Sequence, residues 1–213
     1  MKKIFVFGKN GKMASSIREL ASLTDGWSLV ETFDAADVGI DFTVAEACDK
    51  HLQQALHLAK PLVIGTTGLS EAQMRHIKTA SQKIPLLHSP NMSRGIQVML
   101  HLIAAATPML REDFGIEISE THHIHKKDRP SGTAKAMGGV VEEITGEKPP
   151  IESIREGEEI GEHTIVFGSE FEHLAIFHRA LDRKVFADGA LKAARWILDK
   201  GPGLYSMREV LNS

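Results

Sequence analysis

The first fourteen residues place the strongest limit on the fold. Residues 3–7 form a short apolar run that ends at Gly8, and residues 11–23 carry apolar side chains at helical spacing. A glycine turn between a strand and a helix is typical of dinucleotide-binding folds, because its amides and the helix N-terminus can face a pyrophosphate. The turn predicts cofactor contacts from Gly8, Lys9, Asn10, Gly11, Lys12 and Met13. A turn of the same shape that binds no nucleotide is the alternative.

Strands and helices continue to alternate as far as residue 92. Apolar runs predict strands at 27–33, 38–42, 61–65 and 86–88, and helical spacing predicts helices at 45–59 and, after a capping box at Ser70–Gln73, up to residue 82. This alternation predicts an α/β fold with a Rossmann-like parallel sheet. Loops after two of the strands would meet at the carboxyl edge and contact the cofactor through Gly65, Thr66, Thr67, Ser89, Pro90, Asn91 and Met92.

Asp34 is the candidate for recognition of the adenosine ribose. It lies twenty residues beyond Ala14, near the end of the second predicted strand, where a carboxylate can accept hydrogen bonds from ribose hydroxyls. No basic residue is near it in sequence, which favours NAD, but Lys9 or Lys12 could reach a 2′-phosphate. A solvated Asp in a turn is equally compatible with the pattern, so the cofactor is NADH or NADPH.

A different pattern follows residue 92 and predicts a second, mixed α/β domain. Helices are predicted at 93–110 and 132–144, and strands at 114–118, 163–167 and 174–180, with a loop over 145–159. A helix over 187–198 and a turn at 201–203 follow. We therefore place a dinucleotide-binding domain at 1–92 and a substrate domain at 93–186.

Composition excludes several classes of protein. The formal net charge of the 213 residues is −3 and no long basic run occurs, which argues against a nucleic-acid partner. The apolar run at residues 4–7 is too short for a signal peptide or a membrane span. The single cysteine, Cys48, cannot form an internal disulfide, which favours a reducing, cytoplasmic location.

Residues 120–134 are the densest group of chemically reactive side chains. His122, His123 and His125 could transfer protons, bind a metal with Asp128, or be purely structural. Adjacent His122 and His123 point to opposite sides of an extended chain, and Lys126 and Lys127 would repel a cation, so we predict no metal. The lysines instead suit a dianion, and the helix that begins at Ser131, Gly132 and Thr133 offers amides to a carboxylate. We predict a pocket for a substrate that is a dianion and carries a carboxylate.

With these residues the chain closely resembles the dihydrodipicolinate reductase family. The resemblance rests above all on residues 120–134, and also on the glycine turn and five short motifs. These motifs are Asp41–Thr43, Val63–Gly68, Ser89–Ser93, Gly161–Thr164 and Phe186–Ala190. It implies hydride transfer from NADH or NADPH to a cyclic unsaturated 2,6-dicarboxylate. His122 would be the proton donor or acceptor, Lys126 the second proton donor, and His123, Ser131, Gly132 and Thr133 the substrate contacts.

The resemblance also implies an assembly and a motion. Residues 187–213 would return to the nucleotide domain, residues 93–186 would build a homotetramer, and hinge closure would bring nicotinamide and substrate together. The chain is shorter than typical members, and the missing length falls between Phe33 and Val38. Three rival functions stay open: a metal-dependent hydrolase, a non-catalytic NAD-sensing module, and a dehydrogenase acting on another small dicarboxylate.

Overall fold

The computed structural model describes residues 1–211, which fold into two compact units. Unit 1 combines residues 1–93 with the chain from Arg183 onward, and unit 2 is formed by residues 94–182. These bounds lie one and four residues from the predicted domain boundaries. Among the described residues, no helix is both long and apolar enough to cross a membrane.

Unit 1 is a parallel six-stranded sheet between two layers of helices. Elements are numbered along the chain, and the sheet has the order β10-β5-β4-β3-β1-β2. Its strands are β1 (Lys2–Val6), β2 (Trp27–Leu29), β3 (Val38–Asp41), β4 (Leu62–Ile64), β5 (Pro85–His88) and β10 (Gly203–Tyr205). Its helices are α1 (Lys12–Leu23), α2 (Ala45–Leu58), α3 (Glu71–Ala80), α6 (Lys184–Ile197) and α7 (Met207–Leu211). The predicted Rossmann-like α/β class is confirmed.

Each face of this sheet has its own apolar core. Alternate residues of a strand face opposite sides, so Val38 and Ile40 of β3 pack with α1 and α6, while Leu62 and Ile64 of β4 pack with α2 and α3. The predicted capping box at α3 is confirmed, since Ser70 and Gln73 each bind the other's backbone amide.

Unit 2 is a four-stranded mixed sheet with two helices on one face. The order is β7-β6-β8-β9, with β7 parallel to β6 and the other neighbours antiparallel. The elements are α4 (Arg94–Leu110), β6 (Gly115–His122), α5 (Gly132–Thr145), β7 (Ile151–Arg155), β8 (Glu162–Gly168) and β9 (His173–Arg179). Apolar residues of α4 and α5 pack on Ile118, Ile165 and Phe167 of the sheet.

Three predicted elements differ from the structure. The predicted loop over 145–159 contains strand β7, which pairs with β6. The predicted turn at 201–203 leads into β10, which extends the sheet of unit 1 beyond β5. The strand predicted over 27–33 ends at Leu29, because Phe33 turns back in a short 3-10 helix and packs on Phe5 and Phe7.

Candidate active site

The glycine turn of unit 1 joins the end of β1 to the start of α1. Gly8 follows β1 with a φ of +81°, a conformation that strongly favours glycine, and a Cβ at this position would approach Thr43 Cγ2 to 2.9 Å. Helix α1 begins after Gly11, and among the described residues no side chain caps its first amides. Arg18 of the same helix donates hydrogen bonds to the carbonyls of Val6, Gly8 and Lys9, which holds the turn in place.

The predicted edge loops lie at the carboxyl ends of neighbouring parallel strands. Gly65 follows β4 and donates its N–H to the carbonyl of Asp41 at the end of β3, over 2.8 Å. Ser89 follows β5, donates its N–H to Ile64 and binds the Asn91 carbonyl through its hydroxyl. Ligands of open parallel sheets bind at this edge, so the fold fits a dinucleotide.

Two further residues of this edge stabilise the glycine turn. The carboxylate of Asp41 is completely buried, accepts hydrogen bonds from the N–H and hydroxyl of Thr43 at 2.8 and 2.6 Å, and pairs with His51 Nδ1 at 2.8 Å. Thr43 in turn contacts the position of Gly8. Asp41 was quoted for the family resemblance, but its support of the turn depends on the pairing of β1 with β3.

Met92 and Asp34, two further predicted cofactor residues, have different surroundings. Met92 is completely buried in the core of unit 1. Asp34 lies in the crossover between β2 and β3. This crossover starts after Leu29 and ends before Val38, and both of these residues pair with Ile4 of β1. The Asp34 carbonyl accepts a hydrogen bond from Lys60, which lies just before β4 at the opposite, amino end of the sheet. The ring of the neighbouring Phe33 lies 5.0 Å from that of Phe7, the residue before Gly8.

In unit 2, the buried face of β6 changes from apolar to ionic at its end. Ile118, Glu120 and His122 alternate with less buried residues, so all three side chains share one face. The Nδ1 of His122 is hydrogen-bonded to Glu120 Oε2. Burial raises the pKa of Glu120, but hydrogen bonds from Arg155, Ser153 and His122 outweigh this and bring it to about 2. Glu120 is therefore a carboxylate at neutral pH.

His122 is surrounded by charges of both signs. Burial lowers its pKa, hydrogen bonding and attraction to Glu120 raise it, and repulsion from Lys126 and Arg155 lowers it, with a net decrease. Because Nδ1 faces Glu120, Nε2 is the nitrogen available to a ligand. A Cβ on Gly161 would come within 2.9 Å of this nitrogen, so a glycine is the residue that fits beside the ring.

The loop after β6 carries the other predicted residues. Lys126 Nζ pairs with Asp128 at 2.8 Å, and the Lys126 N–H donates to the carbonyl of His123. His123 is half-buried, whereas His125 is exposed and lies 3.9 Å from Glu158. Within residues 1–211, no group of three or more His, Cys, Asp or Glu side chains could hold a metal ion. Lys126 is the lysine of this loop whose charge lowers the pKa of His122.

Ser131 begins helix α5 just after this loop. Ser131 is buried, and its N–H donates a hydrogen bond to Glu120. Its hydroxyl accepts a hydrogen bond from the Ala134 N–H at 3.2 Å and lies 3.1 Å from His163 Nε2. The polar atoms of Ser131 are thus engaged within the protein. The amides of Gly132 and Thr133, in the first turn of α5, follow directly.

Sequence reasoning missed Arg155 as a site residue, because it lay in the region predicted as a loop. Its two terminal nitrogens donate to the two Glu120 oxygens at 2.9 Å each. His163, quoted only within a family motif, is opposite Glu120 in register, and its ring centroid lies 5.1 Å from that of His122. One signal in the sequence could have identified the buried pair of Glu120 and His122. The two residues are two positions apart on an alternating strand, so their side chains share a face.

Comparison with known families agrees with both units. The model of the dihydrodipicolinate reductase N-terminus matches residues 28–92, and that of the dihydrodipicolinate reductase C-terminus matches residues 95–211. The chain belongs to the dihydrodipicolinate reductase family. All the residues of the candidate site in unit 2 lie within the second match.

Individual members of the family are similar over nearly the whole chain. The 4-hydroxy-tetrahydrodipicolinate reductase of Zymomonas mobilis is 39% identical, over 98% of this chain and 96% of that protein. The enzyme of the same name from Alkaliphilus oremlandii is 36% identical over 98% of each. A dipicolinate-bound dihydrodipicolinate reductase from Paenisporosarcina sp. TG-14 has the same fold, with a TM-score of 0.79 over 97% of both chains and 21% identity.

Proposed function

We propose that the protein reduces 4-hydroxy-tetrahydrodipicolinate, a cyclic dicarboxylate imine, to tetrahydrodipicolinate on the route to diaminopimelate and lysine, with the 4-hydroxyl group leaving as water. The observation that carries this proposal is the buried His122 at the end of β6. Its Nδ1 is occupied by Glu120 and its Nε2 is available for proton exchange, within the part of the chain that matches the family. We infer that the chain is an NAD(P)H-dependent oxidoreductase, because its relatives are named reductases and unit 1 has a Rossmann-like parallel sheet.

The residues after β6 supply contacts for the two substrate carboxylates. The amides of Gly132 and Thr133 in the first turn of α5 would hold one carboxylate, because the N-terminus of a helix carries partial positive charge. Lys126 and His123, from the preceding loop, would face the other charge. Two carboxylates close to His122 and Lys126 would favour the protonated forms of both side chains.

The proton transfers then belong to His122 and Lys126. A nicotinamide cofactor, when bound, supplies the hydride, and the electron pair displaced in the conjugated imine must be protonated. We assign His122 Nε2 as the proton donor or acceptor and the Lys126 ammonium as the second donor. Asp128 pairs with Lys126 at 2.8 Å and orients its ammonium group.

The glycine turn and the edge loops of unit 1 fit a dinucleotide. The uncapped first amides of α1 would face the pyrophosphate, and Gly65, Thr66, Thr67, Ser89, Pro90 and Asn91 would line the nicotinamide half. Thr67 and Pro90 are exposed. The neighbouring Lys9 and Lys12 are exposed, and neither belongs to an ion pair of the described residues.

We further propose that NADPH binds more tightly than NADH. Lys9 and Lys12 are exposed on either side of the glycine turn and would attract a 2′-phosphate. Replacing either lysine with alanine should weaken NADPH binding about five-fold, the equivalent of about 1 kcal/mol for one solvated ion pair. NADH binding should change less. Fluorescence titration with each cofactor, and with Lys83→Ala as a control on the same unit, would measure this.

A direct assay tests the reaction. The purified protein is mixed with the freshly formed condensation product of pyruvate and aspartate semialdehyde, and the absorbance of NADPH or NADH is followed. His122→Asn and Lys126→Met should each lower kcat by about 100-fold, the usual contribution of a general acid. His57→Asn and Lys83→Met are exposed controls in unit 1. No oxidation of either cofactor by the unaltered protein would refute the proposed function.

We also propose a homotetramer assembled through unit 2, in a reducing, cytoplasmic compartment. The outer strand β9 leaves Leu174 45% and Phe177 59% exposed, and apolar area of this kind favours association. Light scattering after gel filtration should give four times the 23.4 kDa chain mass. A monomer mass at micromolar concentration would contradict the assembly.

A further inference from the structure

A buried ion pair lies behind the proposed proton donor. The side chains of Glu120 and Arg155 are 0% and 3% exposed, and they make two parallel hydrogen bonds of 2.9 Å. Taking two opposite charges out of water contributes little to stability, because the cost of desolvation offsets their attraction. The pair therefore calls for a reason other than stability, and its remaining contacts supply one.

Glu120 connects the two halves of the substrate site. Its Oε2 binds His122 Nδ1, and its Oε1 accepts the N–H of Ser131 at 3.2 Å. Ser131 is the N-cap of α5, whose next two amides are the proposed carboxylate contacts. A single carboxylate thus orients both the proton donor and the start of the anion-binding helix.

Arg155 connects this carboxylate to the third part of the site. Its Nε donates to the carbonyl of Lys126 at 3.3 Å, and one terminal nitrogen donates to the carbonyl of Asp128 at 2.5 Å. These bonds fix the backbone of the loop that carries Lys126. A lysine in place of Arg155 could not make this planar set of bonds.

We propose that Arg155 and Glu120 form a positioning pair for proton transfer. Glu120 fixes His122 with its proton on Nδ1 and Nε2 towards the substrate, and Arg155 holds both the carboxylate and the Lys126 loop. The proposal rests on the proposed function of His122. In the proton step the bond from Nε2 to hydrogen breaks and the proton moves to the substrate, while the Nδ1 proton stays on the hydrogen bond to Glu120.

The charges around His122 give the pair a measurable signature. The groups that face its ring are Glu120 from β6, Arg155 from β7, His163 from β8 and Lys126 from the following loop. Among the causes that shift its pKa, burial and the two cations lower it, and Glu120 raises it. Removing the negative charge of Glu120 must therefore lower the pKa of His122 further.

The experiment compares Glu120→Gln, Arg155→Met and Arg155→Lys with two matched controls. Glu117→Gln changes an exposed carboxylate of the same strand, and Arg179→Lys changes a half-exposed arginine of β9. The ring carbons and nitrogens of labelled histidine are followed by NMR against pH, and the signals of His122 are assigned by their loss in His122→Asn. The same variants are assayed for kcat and KM across pH.

Defined changes are expected from each variant. In Glu120→Gln the midpoint of the His122 titration should fall by about 1–3 pH units, and the population with the proton on Nδ1 should decrease. Its kcat should fall at least about 10-fold, with little change in the KM for the cofactor. Arg155→Lys should recover part of the kcat lost in Arg155→Met. Both controls should match the unaltered protein.

Two results would overturn the proposal. One is a folded Glu120→Gln whose His122 titration and tautomer are unchanged; the other is an Arg155→Lys with the kcat of the unaltered protein. If Glu120→Gln does not fold, Arg155→Lys, which keeps the charge, decides the question alone. An unaltered protein without reductase activity, but with the expected NMR changes, would refute the proposed function and leave the positioning of His122 intact.

Discussion

Replacing Gly189 with alanine tests how closely helix α6 packs within unit 1. A Cβ at this position would lie 1.8 Å from the carbonyl oxygen of Met92 and 2.8 Å from its carbonyl carbon. Both atoms are backbone, so no side chain can rotate away. The helix would have to move from the chain segment that follows β5.

The size of this effect follows from the overlap. Overpacking a core costs about 1–3 kcal/mol, and an overlap with backbone belongs at the upper end of that range. For a chain of this length each kcal/mol corresponds to roughly 2–4 °C in Tm, so Gly189→Ala should lower the Tm by about 6–12 °C. The displaced segment includes Ser89 to Met92, so the Kd for NADPH should also rise.

Gly139 provides a matched control. It lies in the middle of α5, and no described atom comes within 4 Å of a Cβ built on it. Alanine should stabilise this helix by about 0.5–1 kcal/mol, because glycine loses more backbone entropy on folding. Gly139→Ala should therefore raise the Tm slightly, opposite in sign to Gly189→Ala.

Differential scanning calorimetry and a cofactor titration on the two variants would check both signs. A Gly189→Ala protein with the Tm and NADPH affinity of the unaltered chain would refute the reasoning, since it would mean that α6 can shift at no cost. Equal decreases in Tm for both variants would also contradict it, because the loss would then not depend on the contact with Met92.

Three further outcomes are expected. Burial and the nearby His122 lower the pKa of His163 from 6.5 to about 3. The folded state therefore favours neutral His163, and this contribution to the free energy of unfolding is fully present above pH 6.5. It is lost as the pH falls towards 3, and the loss is about 2 kcal/mol at pH 5. Denaturant titrations of His163→Gln should show a flatter dependence over this range, and an identical slope would contradict the assignment. Gly161→Ala should displace the His122 ring and lower kcat about 10-fold, with little change in cofactor affinity. An unchanged kcat in this variant would contradict the close packing of Gly161 on His122. Exhaustive chelation should leave the activity intact, and its loss would instead favour the metal-dependent hydrolase.

The regular parts of the fold were predictable because local patterns decide them. The buried strands of unit 1 and the amphipathic helices that follow them have clear periods, and the Ser70 capping box fixes one helix start. Strand β7 was missed because its residues 151–155 alternate only between half-buried and exposed positions. Strand β10 was missed because it is three residues long and follows a Gly-Pro-Gly turn.

The candidate site was predictable only where its residues are close in sequence. His122, Lys126 and the start of α5 lie within twelve residues of one another, and their chemistry was evident from composition. Arg155 is 35 residues from Glu120 and meets it only through the parallel pairing of β6 with β7. The place of Asp34 likewise depends on how a short crossover joins β2 and β3, which no local pattern reveals, and its contact with the ribose stays a prediction.

The division of unit 1 between the two parts of the chain has a consequence for protein synthesis. Helix α6 and strand β10, which complete the core and the sheet of unit 1, are translated only after the whole of residues 94–182. At about 5–20 residues per second, the ribosome needs roughly 5–20 s for that stretch. During this time the apolar face of the nascent unit 1 lacks the cover that α6 later provides, so unit 1 can be completed only after the synthesis of unit 2.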